Sequence, residues 1–163
     1  MLPGVRTWDI KKLPDERGYF AEALRSDWTE LLEGDTIVQT NLYLSYPGMI
    51  RAWHRHRRGQ VDYFIVIEGA LKICAYDDAD GSPTKGQLDE IIASAARPQV
   101  VRLPGKYWHG TKAVSPDPAL TVYMVSRLYE AKNPDEDRRP WNDPTVIDRH
   151  SGQSYDWNRP PHK

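Results

Sequence analysis

The hydrophobic positions of this chain fall into short runs that are separated by clusters of turn-forming residues. Valine, isoleucine and tyrosine are frequent in the runs, as is typical of β-strands. Glycine, proline, aspartate and serine are concentrated between them. The runs predict strands at residues 36–43, 62–68, 70–76, 91–92, 99–103 and 120–126. Many short strands connected by turns indicate an all-β barrel or sandwich.

Outside these runs the pattern changes. One helical segment is expected over residues 26–32, with Ser26 or Asp27 as its N-cap. Residues 131–163 are polar and rich in proline, aspartate and arginine, but Trp141 and Trp157 are too large to be left wholly in solvent. We therefore expect one domain over residues 1–163. Its barrel spans about 34–130, and the irregular tail packs on the barrel or on a partner subunit.

Composition narrows the range of partners. Hydrophobic residues make up 39% of the chain and charged residues 28%, as in an ordinary globular protein. The formal net charge of −1 creates no field that would attract nucleic acid or an anionic membrane. No segment has the hydropathy of a membrane span or a secretory signal, so a cytoplasmic location is expected. The single cysteine, Cys74, lies in an apolar run and is interpreted as a buried, unreactive thiol.

Other conspicuous side chains have structural interpretations. Asp77, Asp78 and Asp80 resemble a calcium loop at first sight, but the register and the closing glutamate of an EF-hand are absent. A solvated turn is predicted there instead. Several aromatic residues are expected to pack inside the barrel: Trp53, Tyr63, Phe64 and Tyr76.

The residues with the clearest chemistry are three histidines in two short segments. His54 and His56 are separated by one residue, so on a strand both side chains point to the same face. Asp62 follows them, and His109 lies in a later segment that can face the first across a barrel. Such a cluster suits either proton transfer or metal binding.

The spacing of these residues resembles the two motifs of the cupin superfamily. The pattern reads Gly48-x5-His54-x-His56, then Asp62-x6-Gly69, and later Pro104-Gly105-x3-His109. In metal-binding cupins, two histidines, an acid and a third histidine hold one divalent ion. The resemblance implies a site for Fe, Mn, Zn, Ni or Cu whose ligands are His54, His56, Asp62 and His109.

A longer resemblance extends from about Arg17 to Asp143. Its segments are Arg17-Gly-Tyr-Phe-Ala-Glu22, Gln39-Thr-Asn41, Gly48 to His54, Pro104 to Gly110, Val122-Tyr123, Tyr129 and Trp141-Asn-Asp143. In this order and at these separations they are similar to the dTDP-4-dehydrorhamnose 3,5-epimerase family, a branch of the cupins. The resemblance implies a cupin jelly-roll barrel, a homodimer, and a nucleotide sugar bound across the barrel mouth.

Carried over by position, the resemblance gives roles to individual residues. It implies that His54 is the catalytic base and that Tyr123 is the general acid on the opposite side of the sugar. His109 matches a second histidine near the sugar carbonyl, and Arg51 matches a contact to the pyrophosphate. The other positions that line the family's pocket are Arg17, Glu22, Gln39, Asn41 and Tyr129. The chemistry fits, because removing a proton beside a ketone requires a base that titrates near neutral pH.

Three departures from the family pattern affect the expected mechanism. The family has a lysine near the enolate where this chain has Asp62, and a glutamine where this chain has His56. Its base is oriented by a C-terminal aspartate that is not recognisable here, where Asp148 and Asp156 are the candidates. A metal bound by the four predicted ligands would restore positive charge but would occupy His54. Without a metal, Asp62 is expected to orient His54 or His56.

Three functions stay open on sequence alone. The first is an epimerase or isomerase of a nucleotide-linked 4-keto-6-deoxy sugar, which needs no cofactor. The second is a metal-dependent cupin enzyme that acts on another small molecule. The third is a catalytically reduced relative that binds a sugar nucleotide without turnover.

Overall fold

The computed structural model describes residues 1–149 and 151–160. Within them the chain forms twelve strands and one helix of four residues. In chain order these are β1 (Arg6–Asp9), β2 (Leu13–Asp15), β3 (Gly18–Phe20), α1 (Thr29–Leu32), β4 (Gln39–Ser45), β5 (Ile50–Arg55), β6 (Val61–Glu68), β7 (Ala70–Tyr76), β8 (Leu88–Ser94), β9 (Gln99–Pro104), β10 (Trp108–Ala113), β11 (Ala119–Val125) and β12 (Asp137–Arg138). The predicted all-β class is therefore confirmed.

Two five-stranded antiparallel sheets form the barrel. The first has the strand order β1-β9-β6-β11-β4, the second has the order β12-β5-β10-β7-β8, and β2 and β3 form a separate hairpin. Side chains from both sheets meet in a buried core that includes Phe64, Leu71, Ile73, Val101 and Leu103. The strand pattern predicts a barrel or sandwich, and this jelly-roll arrangement is the one that the family resemblance implies.

The outer face of the first sheet is covered by the helical segment. Leu31 of α1 is fully buried and packs in one cluster with Tyr63 of β6. The helix is shorter than expected and begins after Trp28, which makes no side-chain cap hydrogen bond. The predicted N-cap at Ser26 or Asp27 is therefore wrong. Burial of the helix against the sheet, rather than a capping side chain, stabilises it here.

The outer face of the second sheet is covered by the C-terminal tail. Trp157 is fully buried, and its ring centroid lies 4.8 Å from that of Trp53 on β5. Cys74 is buried in the same cluster. Earlier in the tail, β12 pairs with β5, and Arg138 lies opposite His54. The tail thus extends the sheet that carries the histidines. No helix in the described part of the chain is long and apolar enough to cross a membrane.

Several differences from the predicted elements share a physical cause. Each predicted strand is present; the strand at 70–76 has the predicted bounds, and the others differ at one or both ends by up to three residues. The strands that the pattern does not predict include β1, β2, β3 and β12, which are short and largely exposed. Exposed strands need no hydrophobic face, so they leave no alternating pattern in the sequence.

The acidic loop after β7 is ordered rather than solvated. Asp77 is only 3% exposed, and its Oδ2 accepts hydrogen bonds from the hydroxyls of Ser82 and Thr84 at 2.5 and 2.6 Å. Asp78 is paired with two arginines. The prediction of a solvated turn is wrong for these two residues, whereas the side chain of Asp80 is 97% exposed.

Candidate active site

A cavity of about 400 Å³ lies between the two sheets. Most of the residues singled out in the sequence meet there. Those that line it are His54, His56, His109, Tyr123, Arg51, Gln39, Asn41 and Tyr129. Asp62 is fully buried behind this wall and contacts several of its members.

A β-bulge places His54 and Arg51 on the same wall, although they are three residues apart. A regular strand would turn them to opposite faces. His54 lies opposite His109 on β10. Arg51 lies opposite Thr111, so a step of three residues on β5 matches a step of two on β10. Gly110 permits this close approach, because a Cβ at that position would lie 2.3 Å from a side-chain atom of β5.

The surroundings of His54 keep its imidazole neutral. Burial lowers the pKa of His54 well below its usual range, and His109 and His56 add to this effect by opposing a positive charge nearby. The negative charge of Asp62 raises the pKa of His54, but this effect is smaller than the combined effect of burial and the two histidines. The ring centroids of His54 and His109 are 4.2 Å apart. A neutral imidazole has a free lone pair, so His54 can accept a proton at neutral pH.

Tyr123 reaches the cavity from the opposite sheet. It lies on β11 and stacks on Phe64 with ring centroids 5.2 Å apart, so Phe64 contributes to the cavity as well as to the core. The Tyr123 hydroxyl donates to Asp62 Oδ1 at 3.2 Å. Burial and this carboxylate raise the pKa of Tyr123, so the phenol keeps its proton. A neutral imidazole on one wall of the cavity therefore lies across from a protonated phenol on the other.

Asp62 lies between His56 and His109. Its Oδ2 is 3.1 Å from His109 Nε2 and 3.5 Å from His56 Nε2. Its Oδ1 accepts a hydrogen bond of 2.7 Å from the Gln60 amide. Burial alone would raise the pKa of Asp62, but the two histidines lower it, so the carboxylate stays ionised. A buried carboxylate requires compensating positive charge, and the cluster is arranged to supply it.

Two residues of this cluster are not identified by the sequence motifs. Gln60 Nε2 lies 3.1 Å from His56 Nε2 as well as donating to Asp62. Gln60 precedes Asp62 by two residues, so strand periodicity was a usable signal for it. Asp135 belongs to the tail; its carbonyl oxygen contacts His56 Nδ1, and its carboxylate accepts from the backbone N–H groups of residues 57 and 58 at 2.9 Å each. No local pattern connects it with the histidines.

The predicted substrate-binding residues divide into two groups. Arg51 lines the cavity, where its Nε donates to Ser45 Oγ at 3.1 Å. Gln39 links two others, because its amide donates to Asn41 Oδ1 at 2.8 Å and accepts from the Tyr129 backbone N–H at 2.9 Å. These contacts fix polar groups along one rim of the cavity.

Arg17 and Glu22 form the second group and do not line the cavity. Arg17 follows β2 and pairs with Asp15 at 2.7 Å, and its side chain is 83% exposed. Glu22 follows β3 and pairs with Arg25. Within this chain, therefore, the hairpin and the cavity are separate.

The tail does not bring the predicted carboxylates into the cavity. Asp148 accepts a hydrogen bond of 3.0 Å from Arg159. Asp156 accepts from the backbone N–H of Asn158 at 2.8 Å. Neither lines the cavity. The carboxylate nearest to the histidines is instead Asp62, which comes from the barrel itself.

Comparison with known proteins agrees with this geometry. The sequence profile of dTDP-4-dehydrorhamnose 3,5-epimerase matches residues 1–150. This chain belongs to the dTDP-4-dehydrorhamnose 3,5-epimerase family. The family and the enzyme class expected from the sequence motifs are thereby confirmed.

Relatives within and around this family match most of the chain. The probable low-salt glycan biosynthesis epimerase Agl13 of Haloferax volcanii is 38% identical over 145 residues, covering 86% of this chain and 91% of that protein. The spore coat polysaccharide biosynthesis protein SpsL of Bacillus subtilis is 32% identical over 158 residues, covering 97% of each. A crystal structure of the Legionella pneumophila 3,5-epimerase RmlC with dTDP-4-keto-L-rhamnose superposes with a TM-score of 0.80 at 28% identity, covering 90% of this chain and 78% of that chain.

Proposed function

We propose that this protein epimerises a nucleotide-linked 4-keto-6-deoxy sugar at one or both carbons beside the ketone. The observation that supports it most directly is the pairing of a neutral His54 with a protonated Tyr123 across one cavity. Family membership supplies the substrate class, since the Legionella relative was crystallised with such a sugar nucleotide.

In the proposed mechanism, His54 Nε2 or Nδ1 removes the proton from the carbon beside the ketone. The electron pair of the C–H bond moves onto the carbonyl oxygen and gives an enolate. Tyr123 then donates its proton to the opposite face of that carbon, and the ketone re-forms. Proton loss and gain balance, so the reaction needs no redox cofactor. The polar groups beside the developing enolate are His56, His109 and the Gln60 amide, and such groups stabilise charge best when they are held in place beforehand.

The nucleotide is proposed to bind along the rim formed by Arg51, Gln39, Asn41 and Tyr129. Arg51 is held by Ser45 and by the Leu44 carbonyl oxygen, which fixes the orientation of its guanidinium. A guanidinium that is fixed in this way can present its remaining N–H donors to a pyrophosphate.

A homodimer is part of the proposal. β4 is an edge strand of the first sheet and carries the exposed side chains of Leu42 and Leu44, 68% and 41% accessible. Tyr19 and Phe20 of the β2–β3 hairpin are also more than half exposed. Association through these surfaces would cover an open sheet edge and apolar groups. It would also allow the hairpin of one protomer, with Arg17 and Glu22, to approach the cavity of the other.

Exchange with solvent deuterium tests the proposed activity. Incubation with dTDP-4-keto-6-deoxyglucose in D₂O should introduce deuterium beside the ketone, as measured by mass spectrometry. His54→Asn should lower the exchange rate at least ~100-fold, because the base is lost. Tyr123→Phe should reduce epimerised product more than exchange, because the base remains. Arg97→Gln, at an exposed side chain paired with Asp9, is the matched control and should exchange like the wild type.

The outcomes separate the proposed epimerase from a binding protein. If stoichiometric enzyme gives no exchange while thymidine diphosphate raises the melting temperature, the chain binds the nucleotide without turnover and the proposal is wrong.

Sedimentation velocity of the wild type and Leu42→Asp tests the dimer. A cytoplasmic location is also proposed, and cell fractionation tests it.

A further inference from the structure

The cluster behind the cavity contains three metal-ligating side chains that converge on one point. His56, Asp62 and His109 each contribute one ligand atom, and these atoms all lie within 4.8 Å of one another. All three residues are buried, with 7%, 0% and 1% of their surfaces exposed. His54, although it belongs to the four-ligand set predicted from the cupin motifs, is not a member of this group.

The outer hydrogen bonds of both histidines direct a lone pair inwards. His109 Nδ1 donates to the Tyr107 carbonyl oxygen at 2.8 Å, and His56 Nδ1 donates to the Asp135 carbonyl oxygen. The opposite nitrogen of each ring, Nε2, therefore faces Asp62. Backbone carbonyls that fix the tautomer in this way are a regular feature of metal-binding histidines.

The polar atoms at the centre of the cluster lack hydrogen-bond donors. Asp62 Oδ2 and His109 Nε2 are buried, and neither has a hydrogen-bond partner in the part of the chain that the structure describes. The nearby donors, the Gln60 amide and the Tyr123 hydroxyl, are both directed to Asp62 Oδ1, and the amide also lies 3.1 Å from His56 Nε2. Two buried acceptors 3.1 Å apart, with His56 Nε2 close by, are stabilised when a cation lies between them.

The distances fit a metal ion. Metal–ligand bonds of about 2.1 Å at angles of ~90–110° place neighbouring ligand atoms roughly 3.0–3.4 Å apart. Asp62 Oδ2 lies 3.1 Å from His109 Nε2 and 3.5 Å from His56 Nε2. These two distances are close to that range, and the ligand atoms of His56 and His109 lie within 4.8 Å of each other. Two imidazoles and one carboxylate favour a first-row transition ion over Ca²⁺ or Mg²⁺.

We propose that His56 Nε2, Asp62 Oδ2 and His109 Nε2 bind one divalent transition-metal ion at the back of the cavity and leave His54 free. Such an ion would act as a Lewis acid beside the cavity. With three ligands, the metal leaves His54 uncoordinated, so His54 can still act as a base. In the four-ligand site, His54 would be coordinated and could not act as a base. Metal binding by these three residues does not depend on the proposed epimerase activity.

Cobalt titration of the untagged, full-length protein tests the site. After chelator treatment and its removal, Co²⁺ should bind at one equivalent per chain and give visible ligand-field bands, and Zn²⁺ should displace it. Zn²⁺ at about 100 times its Kd should raise the melting temperature by about 5–10 °C. Protein purified without chelator should contain metal by elemental analysis.

Matched variants identify the ligands. Asp62→Asn and His109→Gln should weaken Co²⁺ binding at least ~10-fold. His54→Asn, on the same wall, should retain the bands and the affinity within about threefold, since His54 lies outside the group. His56→Gln changes the least buried ligand and serves if the other variants do not fold, which circular dichroism would reveal.

Less than one equivalent of Co²⁺, full binding by Asp62→Asn, or equal loss in His54→Asn would each overturn the proposal. Sub-stoichiometric binding would mean that a proton alone bridges Asp62 and His109.

Discussion

Removing the indole of Trp157 tests whether the C-terminal tail is a structural layer of the barrel. Trp157 is fully buried, and its ring centroid lies 4.8 Å from Trp53 and 5.2 Å from Tyr155. A buried tryptophan removes about 200 Å² from water, which at ~25 cal/mol/Å² corresponds to roughly 5 kcal/mol as an upper value. Truncations of this kind cost about 3–5 kcal/mol. We therefore expect Trp157→Ala to lower the free energy of unfolding by about 4 kcal/mol and the melting temperature by ~10 °C.

Urea unfolding followed by circular dichroism provides the measurement, and two variants provide the controls. Trp141→Ala removes a ring that is 45% exposed, while the contact of residue 141 with Trp53 Nε1 is made by its backbone carbonyl oxygen and survives. Its cost should stay below about 1 kcal/mol. Trp157→Phe should cost only ~1–2 kcal/mol, because it also removes a buried N–H that has no partner among the described residues. The reasoning is refuted if Trp157→Ala unfolds within about 1 kcal/mol of the wild type, or if Trp141→Ala is as damaging.

Three further predictions concern the cavity and the acidic loop. Arg51→Lys should weaken thymidine diphosphate binding about 10-fold, as measured by calorimetry, because lysine lacks the planar guanidinium that Ser45 orients. Unchanged affinity would show that Arg51 does not bind the pyrophosphate. Gly105→Ala should slow exchange at least ~10-fold in a folded protein, because a Cβ would lie 2.6 Å from the Gln60 carbonyl oxygen; wild-type rates would contradict this. Asp77→Asn should cost about 2 kcal/mol at neutral pH. Burial opposes the ionised form of Asp77, but hydrogen bonds from two hydroxyls and one backbone N–H outweigh it and lower its pKa. That stabilisation is present above the unfolded pKa and is lost as the pH falls through the lower folded value, so the two melting curves should converge below about pH 4.

Much of the fold was predictable because it depends on local patterns. Buried strands such as β6 and β7 need apolar residues, and these appear directly in the sequence. The residues that line the cavity were predictable for a related reason: His54, Tyr123 and Arg51, the candidates for base, acid and phosphate-binding guanidinium, occur in recognisable motifs. Short exposed strands such as β1 and β12 carry no such pattern, so they were not predicted.

The partners of individual site residues were less predictable. Strand periodicity alone puts Arg51 and His54 on opposite faces, and only the bulge opposite Gly110 unites them. Asp62 was assigned by sequence reasoning to His54 or His56, whereas the structure places it between His56 and His109. Which side chains contact one another depends on the register between strands that are distant in sequence.

The sequence by itself therefore determined the all-β class, the family and the candidate residues of the site, because periodicity and motif spacing are local properties. Only the tertiary structure decided which of those residues touch. It separated His54 from the three-residue cluster, brought the Asp135 carbonyl oxygen to His56, and left Arg17 away from the cavity. These outcomes depend on how two sheets and a tail pack together. That packing is set by contacts between residues far apart in the chain, which no local pattern records.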